Sequence, residues 1–126
     1  MKRVKLQLEY IFRASPAILY QFLTTPSCLI RWFCDDVDVE LNSFTFIWGE
    51  TAETAEVIEE VEEELLRLRW QDAESNDEYL EFRISEAPIT GETILVLTDF
   101  CDEDEVKDQK RYWDTQMQQL QKESGG

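Results

Sequence analysis

Apolar and polar residues alternate in short runs along nearly the whole chain, and this period of two restricts the fold more than any other feature. Val4, Leu6, Leu8, Tyr10 and Phe12 are interleaved with Lys5, Gln7 and Glu9, the spacing of a strand with one buried face. The same pattern returns in Asp36 to Asn42, with acids on one side and Val37, Val39 and Leu41 on the other. It returns again in Phe44, Phe46 and Trp48, in Leu66, Leu68 and Trp70, and in Leu80, Phe82 and Ile84. Residues 52–62 suit a helix by the spacing of Ala55, Ile58 and Val61, but their Thr and Val content and neighbouring hairpins favour a strand. Thr93 to Phe100 is apolar on both faces, which predicts a central strand covered twice.

Two interruptions have the period of a helix. Ser15-Pro16 supplies an N-cap followed by proline in the first turn, and Ile18, Leu19, Phe22 and Leu23 follow at helical spacing. Thr25-Pro26 repeats the start signal, predicting a second short helix through Leu29, Ile30, Trp32 and Phe33. Cys101 to Lys122 closes the sequence as one longer helix, with Asp102 as its candidate N-cap and a stripe of Val106, Trp113, Met117 and Leu120. Asn42-Ser43 and Glu62-Glu63-Glu64 are the expected turns. The order is one strand, two short helices, six strands in hairpin sequence and a long C-terminal helix. Such a chain is α+β: an antiparallel sheet of about seven strands with its helices gathered on one face.

At 126 residues the chain has the length of one domain, and 43% apolar residues suffice for a core despite 32% charged. The net charge of −16 disfavours nucleic acid and anionic lipid surfaces. The absence of histidine removes the commonest general base and metal ligand. Cys28, Cys34 and Cys101 are odd in number and lack CxxC spacing, so free thiols in a reducing cytoplasm are expected, with no disulfide framework and no zinc site. No apolar stretch is long enough for a signal peptide or a membrane span, so neither export nor stable membrane association is expected. Asp36, Asp38 and Glu40 have the spacing of a calcium loop, but Leu41 stands where that loop needs glycine.

The stretches ASPAILYQFLTTPSCLIRWF and GETILVLTDF, with the final helix around Trp113, resemble the START-like (Bet v 1-like, SRPBCC) superfamily of helix-grip folds. Within it the chain looks like the branch named for the activator of Hsp90 ATPase. Two departures from that branch are Leu41-Asn42-Ser43, where a Gly-rich hairpin is usual, and Asp99-Phe100-Cys101-Asp102, where a basic or His position is usual. The resemblance implies a single START-like domain over residues 1–122 with a flexible tail at 123–126, and a curved sheet gripping the C-terminal helix around a cavity. Members of the superfamily hold lipids, sterols, hormones or polyketides there, a few as cyclases, and others act as chaperone cofactors.

The cavity walls are expected at Trp32, Phe33, Phe44, Phe46, Trp48, Leu68, Trp70, Phe82, Trp113 and Met117. The same residues also read as plain core, the usual fate of aromatics at strand or helix spacing. On the ligand reading, Trp113→Ala alters affinity more than folding. Arg67, Arg69 and Arg83 read either as anchors for a ligand carboxylate or as cross-strand partners of Glu81 on the solvent face. Asp35, Asp36 and the run Asp102 to Glu105 supply no catalytic pair or metal set, because neighbouring strand residues diverge and acids at a helix start suit its dipole. The expected function is non-catalytic binding of an apolar small molecule, lipid-like or aromatic, with no cofactor. The alternative is a protein-interaction or co-chaperone-like module whose acidic surface meets a protein partner. A cyclase would need polar groups pointing into the cavity, which the alternation is not expected to supply.

Overall fold

The computed structural model describes residues 2–125. Seven strands, β1 (Arg3–Phe12), β2 (Asp36–Glu40), β3 (Ser43–Trp48), β4 (Thr51–Val61), β5 (Leu65–Trp70), β6 (Leu80–Glu86) and β7 (Thr93–Asp102), form one curved antiparallel sheet in the order β1-β7-β6-β5-β4-β3-β2. The strands β2 to β7 form a meander, and β1 closes it by pairing with β7 along its whole length, from Arg3 opposite Asp102 to Phe12 opposite Thr93. Helices α1 (Pro16–Thr24), α2 (Pro26–Leu29) and α3 (Val106–Glu123) bury their apolar residues in the same core as the inner face of the sheet.

The alternation sets that inner face. Leu66 lies opposite Phe82, Phe82 opposite Leu97 and Leu97 opposite Leu8, a row of apolar side chains running across four strands. Phe44, Ala55 and Trp70 form a second row, in which fully buried Ala55 leaves room for the rings on either side. Ile58 interrupts the pairing of β4 with β5, where the register shifts between Val57 and Glu59. A bulge of this kind bends its strand and increases the local twist. The strand β4 runs from Thr51 to Val61, as the Thr and Val content of this stretch predicts, and Glu62 belongs to the turn that follows.

Several boundaries differ from the sequence reading. α2 ends at Leu29, well before Phe33. Past Leu29 the backbone tightens into turns, with Arg31 N–H donating to Cys28 O at 3.0 Å and Trp32 N–H to Leu29 O at 3.3 Å, and the carbonyls that follow accept from distant side chains: Gln116 Nε2 donates to Trp32 O at 2.8 Å, and Trp48 Nε1 donates to Phe33 O at 2.6 Å. The first hairpin turns at Leu41-Asn42, since Glu40 pairs with Ser43, and Leu41 is 96% exposed. Of the expected apolar face only Val37 is buried, because β2 is an outermost strand whose far end no helix covers. Its acids at Asp36, Asp38 and Glu40 also guard that edge against pairing with another chain.

β7 is second from the edge and is covered once. Leu95 and Leu97 are fully buried beneath the helices, while Ile94, Val96 and Phe100 on the outer face are half-buried by neighbouring strands. β7 continues to Asp102, a 3-10 turn (Glu103–Glu105) follows, and α3 begins only at Val106. Asp102 makes no capping bond; its carboxylate accepts from Arg3 Nη1 at 3.1 Å. α3 reaches Glu123, and Ser124 is buried, its backbone N–H donating to Leu120 O at 2.9 Å. Met1 and Gly126 lie outside the described residues.

Candidate ligand-binding cavity

Trp113, on the buried face of α3, organises one end of the interior. Its indole Nε1 donates to Asp99 Oδ2 at 2.9 Å, and Gln109 Nε2, one helical turn earlier, donates to the same oxygen at 2.8 Å. Asp99 Oδ1 accepts from the backbone N–H of Phe100 at 2.8 Å. Asp99 is itself buried on the inner face of β7, so one carboxylate joins the helix to the sheet with both oxygens engaged. Phe33, just after α2, stacks on the Trp113 ring at 6.1 Å and meets Phe46 and Trp48 edge-on at 4.8 and 5.4 Å.

Beside this cluster lies a cavity of about 620 Å3 between the N-terminal half of α3, strands β3, β4, β5 and β7, and the loop 71–79. Of the ten residues expected as walls, Phe33, Trp48, Trp70 and Trp113 line it. Trp32, Phe44, Phe46, Leu68, Phe82 and Met117 do not; all six are buried in the core. Trp32 spends its indole N–H on Phe22 O at 2.8 Å, and Met117 is fully enclosed. Trp113 belongs to both groups. At 3% exposure it is too deeply packed for Trp113→Ala to act on a ligand alone, which corrects that expectation.

The sequence reading missed the polar part of the lining. Glu53 lies opposite Phe46 and therefore on the inner face, and Asp99 shares the parity of Leu95 and Leu97. Polar groups do enter the cavity, contrary to expectation, and carrying the strand parity two residues further in β4 and β7 would have found both. Asp72, Glu74 and Glu78 come from the loop 71–79, where no periodicity orients a side chain. Tyr112, on α3 beside Trp113 at 5.2 Å, completes the mouth. Partial burial, then the charges of Asp99 and Glu53, push its phenol up to about 12.

Arg3 is the single basic residue in the lining, and it is already engaged. It forms a two-pronged pair with Glu78 at 2.6 and 3.0 Å in addition to its bond with Asp102. The other arginines considered as anchors stay outside. Arg67 pairs with buried Glu81 at 2.5 Å and lies over the Tyr79 ring at 4.5 Å, and Arg83 shares Glu81 at 3.4 Å. Arg69 donates to Asn76 O at 2.8 Å. Of the three, Arg67 is neutralised across strands, Arg83 shares Glu81 within its own strand, and Arg69 serves a backbone carbonyl.

Cys34 and Cys101 are buried free thiols, both raised by desolvation first, Cys34 to about 11. The carboxylates of Asp102, Asp104 and Glu105 come within 4.8 Å of one another, with Asp102 held by Arg3. No helix among the described residues is long and apolar enough to cross a membrane.

A family model described as a START-like superfamily domain matches residues 1–126. Among solved structures, the solution structure of protein BfR322 from Bacteroides fragilis is 34% identical, with a TM-score of 0.70 over 100% of this chain and 94% of that one. The Aha1 dimer from Colwellia psychrerythraea superposes with a TM-score of 0.81 at 16% identity, over 94% of this chain and 93% of that one. Protein MLL2253 from Mesorhizobium loti does so with 0.76 at 17% identity, over 95% and 96%. The last two likenesses are of fold alone. No curated protein matches the chain in sequence.

Proposed function

The chain belongs to the START-like superfamily, whose members commonly bind hydrophobic ligands, and on that footing we propose that it is a non-catalytic carrier of an apolar small molecule. The ligand, lipid-like or aromatic, sits between the curved sheet and α3. One observation carries this reading: the aromatic set divides into a filled core and an unfilled end of about 620 Å3 walled by Phe33, Trp48, Trp70 and Trp113. That volume falls within the ~300–1,000 Å3 range of small-molecule sites, which combine apolar walls with a few placed polar groups. The alternative, a module that meets a protein partner through its acidic surface, rests on net charge and leaves this space without a role.

Native mass spectrometry of protein purified from its own cells tests the proposal. The expected result is a stoichiometric adduct that organic extraction removes and that Trp70→Ala diminishes. A bare chain from those cells, together with no shift of the Trp48, Trp70 or Trp113 indole resonances on titration with small aromatic probes, would refute it.

A further inference from the structure

The charges around the cavity select among apolar ligands. Five acids line it, Glu53, Asp72, Glu74, Glu78 and Asp99, against one base, Arg3. Arg3 and Glu78 neutralise each other, and Asp99 is occupied by Trp113, Gln109 and Phe100. Among the described residues, Glu53, Asp72 and Glu74 form no ion pair. They stand at the mouth of a space whose walls include three indoles, Trp48, Trp70 and Trp113. An anionic headgroup entering this space meets net negative charge and, among the described residues, no available donor cation. A cationic one meets both carboxylates and the negative faces of indole rings, the two groups that attract an ammonium best when partly desolvated.

We infer that the ligand is a small organic cation, an amine or quaternary ammonium attached to an apolar body, with the body against the tryptophans and the cationic head between Glu53, Asp72 and Glu74. This rests on the proposal that the cavity binds an apolar small molecule and narrows its chemical class. It excludes fatty acids and other carboxylate ligands, for which an unpaired arginine would be needed at the mouth.

The test uses three probes of one shape: 2-naphthylmethylamine, 2-naphthalenemethanol and 2-naphthylacetate, titrated at neutral pH while the tryptophan indole resonances are followed. The expected order is amine, alcohol, carboxylate, with the amine at least about tenfold tighter than the carboxylate at low salt. Because the acids are exposed at the mouth, this preference should shrink as added salt shortens the screening length to below ~10 Å. The triple variant Glu53→Gln, Asp72→Asn, Glu74→Gln should weaken the amine severalfold and leave the alcohol unchanged, which also shows that the variant is folded. Equal binding of all three probes would keep the cavity as an apolar site and overturn the cation. Tighter binding of the carboxylate would overturn it likewise. Failure of every probe to bind would remove the cavity reading itself and this inference with it.

Discussion

Asp99→Asn is the substitution that most directly tests how the sheet holds α3. The native carboxylate accepts three hydrogen bonds through two oxygens, from Trp113 Nε1, Gln109 Nε2 and the Phe100 N–H. Asparagine offers one oxygen. If that oxygen serves Trp113 and Gln109, its amide NH2 is turned toward the Phe100 N–H, and donor faces donor. Hydrogen bonds to a charged group contribute ~1.5–3 kcal/mol and neutral ones ~0.5–1.5, so weakening two bonds and losing one gives an expected cost of about 2–3 kcal/mol. For a domain of this length that lowers Tm by roughly 6–12 °C. Urea unfolding followed by far-ultraviolet circular dichroism is the assay, since it is independent of tryptophan emission. In the Trp113→Phe background the indole donor is gone, and Asp99→Asn should cost about 1 kcal/mol less, a coupling that a double-mutant cycle isolates. A cost below ~0.5 kcal/mol for Asp99→Asn, or no coupling to Trp113, would refute the claim that this carboxylate ties α3 to β7.

Trp70, half-buried on the cavity wall, and Trp113, buried against Phe33 and Phe82, should separate by their variants. Trp113→Ala is expected to cost ~3–5 kcal/mol in urea unfolding, whereas Trp70→Ala should lower probe affinity with a distinctly smaller loss of stability. Tyr10 and Tyr20 are held above their ordinary pKa by desolvation and by their bonds to Asp114 and Glu60, and Tyr112 is pushed up to about 12. A raised phenol contributes stability that is complete below the unfolded value of ~10 and is lost as pH climbs toward the folded one. Absorbance at alkaline pH should therefore show these tyrosines ionising late, with unfolding midpoints falling through the same window; ordinary titration of all three would contradict the burial. Glu63 is the described non-glycine residue with positive φ, at 65°, in the turn between β4 and β5. Glu63→Gly should raise the free energy of unfolding in urea by about 0.5–1 kcal/mol, and a loss of stability would show that its side chain outweighs the backbone strain.

The order of elements was legible because each strand keeps its parity and each helix start has its signal. Ser15 accepts from the Ile18 N–H, and Phe44, Phe46, Leu66, Leu68, Phe82 and Ile84 are buried as their alternation requires. What was not legible depended on partners distant in sequence. Leu29, Ile30, Trp32 and Phe33 have helical spacing, but the backbone tightens into turns after Leu29, and the carbonyls of Trp32 and Phe33 meet Gln116 and Trp48, partners distant in sequence. Val39 and Val37 read alike, and only the position of β2 at the sheet edge distinguishes an exposed valine from a buried one. The outer face of β7 read as a second buried face because Ile94, Val96 and Phe100 are apolar, although neighbouring side chains such as Tyr79 against Phe100 are enough to shelter them.

The division of the aromatic set into core and cavity follows from the same long-range geometry. α3 lies over β1 and β7, where Trp113 meets Phe82 edge-on at 6.1 Å and Met117 and Leu120 fill the core further along the helix. Toward its N-terminus, α3 is tied to β7 by Trp113 and Gln109 donating to Asp99, and β4 shifts its register against β5 at Ile58. Trp48 and Trp70 face the same opening as Gln109, Tyr112 and Trp113 of α3. A sequence pattern assigns all these rings to one inner face; contacts between elements distant in sequence decide which of them touch one another and which are left facing an open space rimmed by acids.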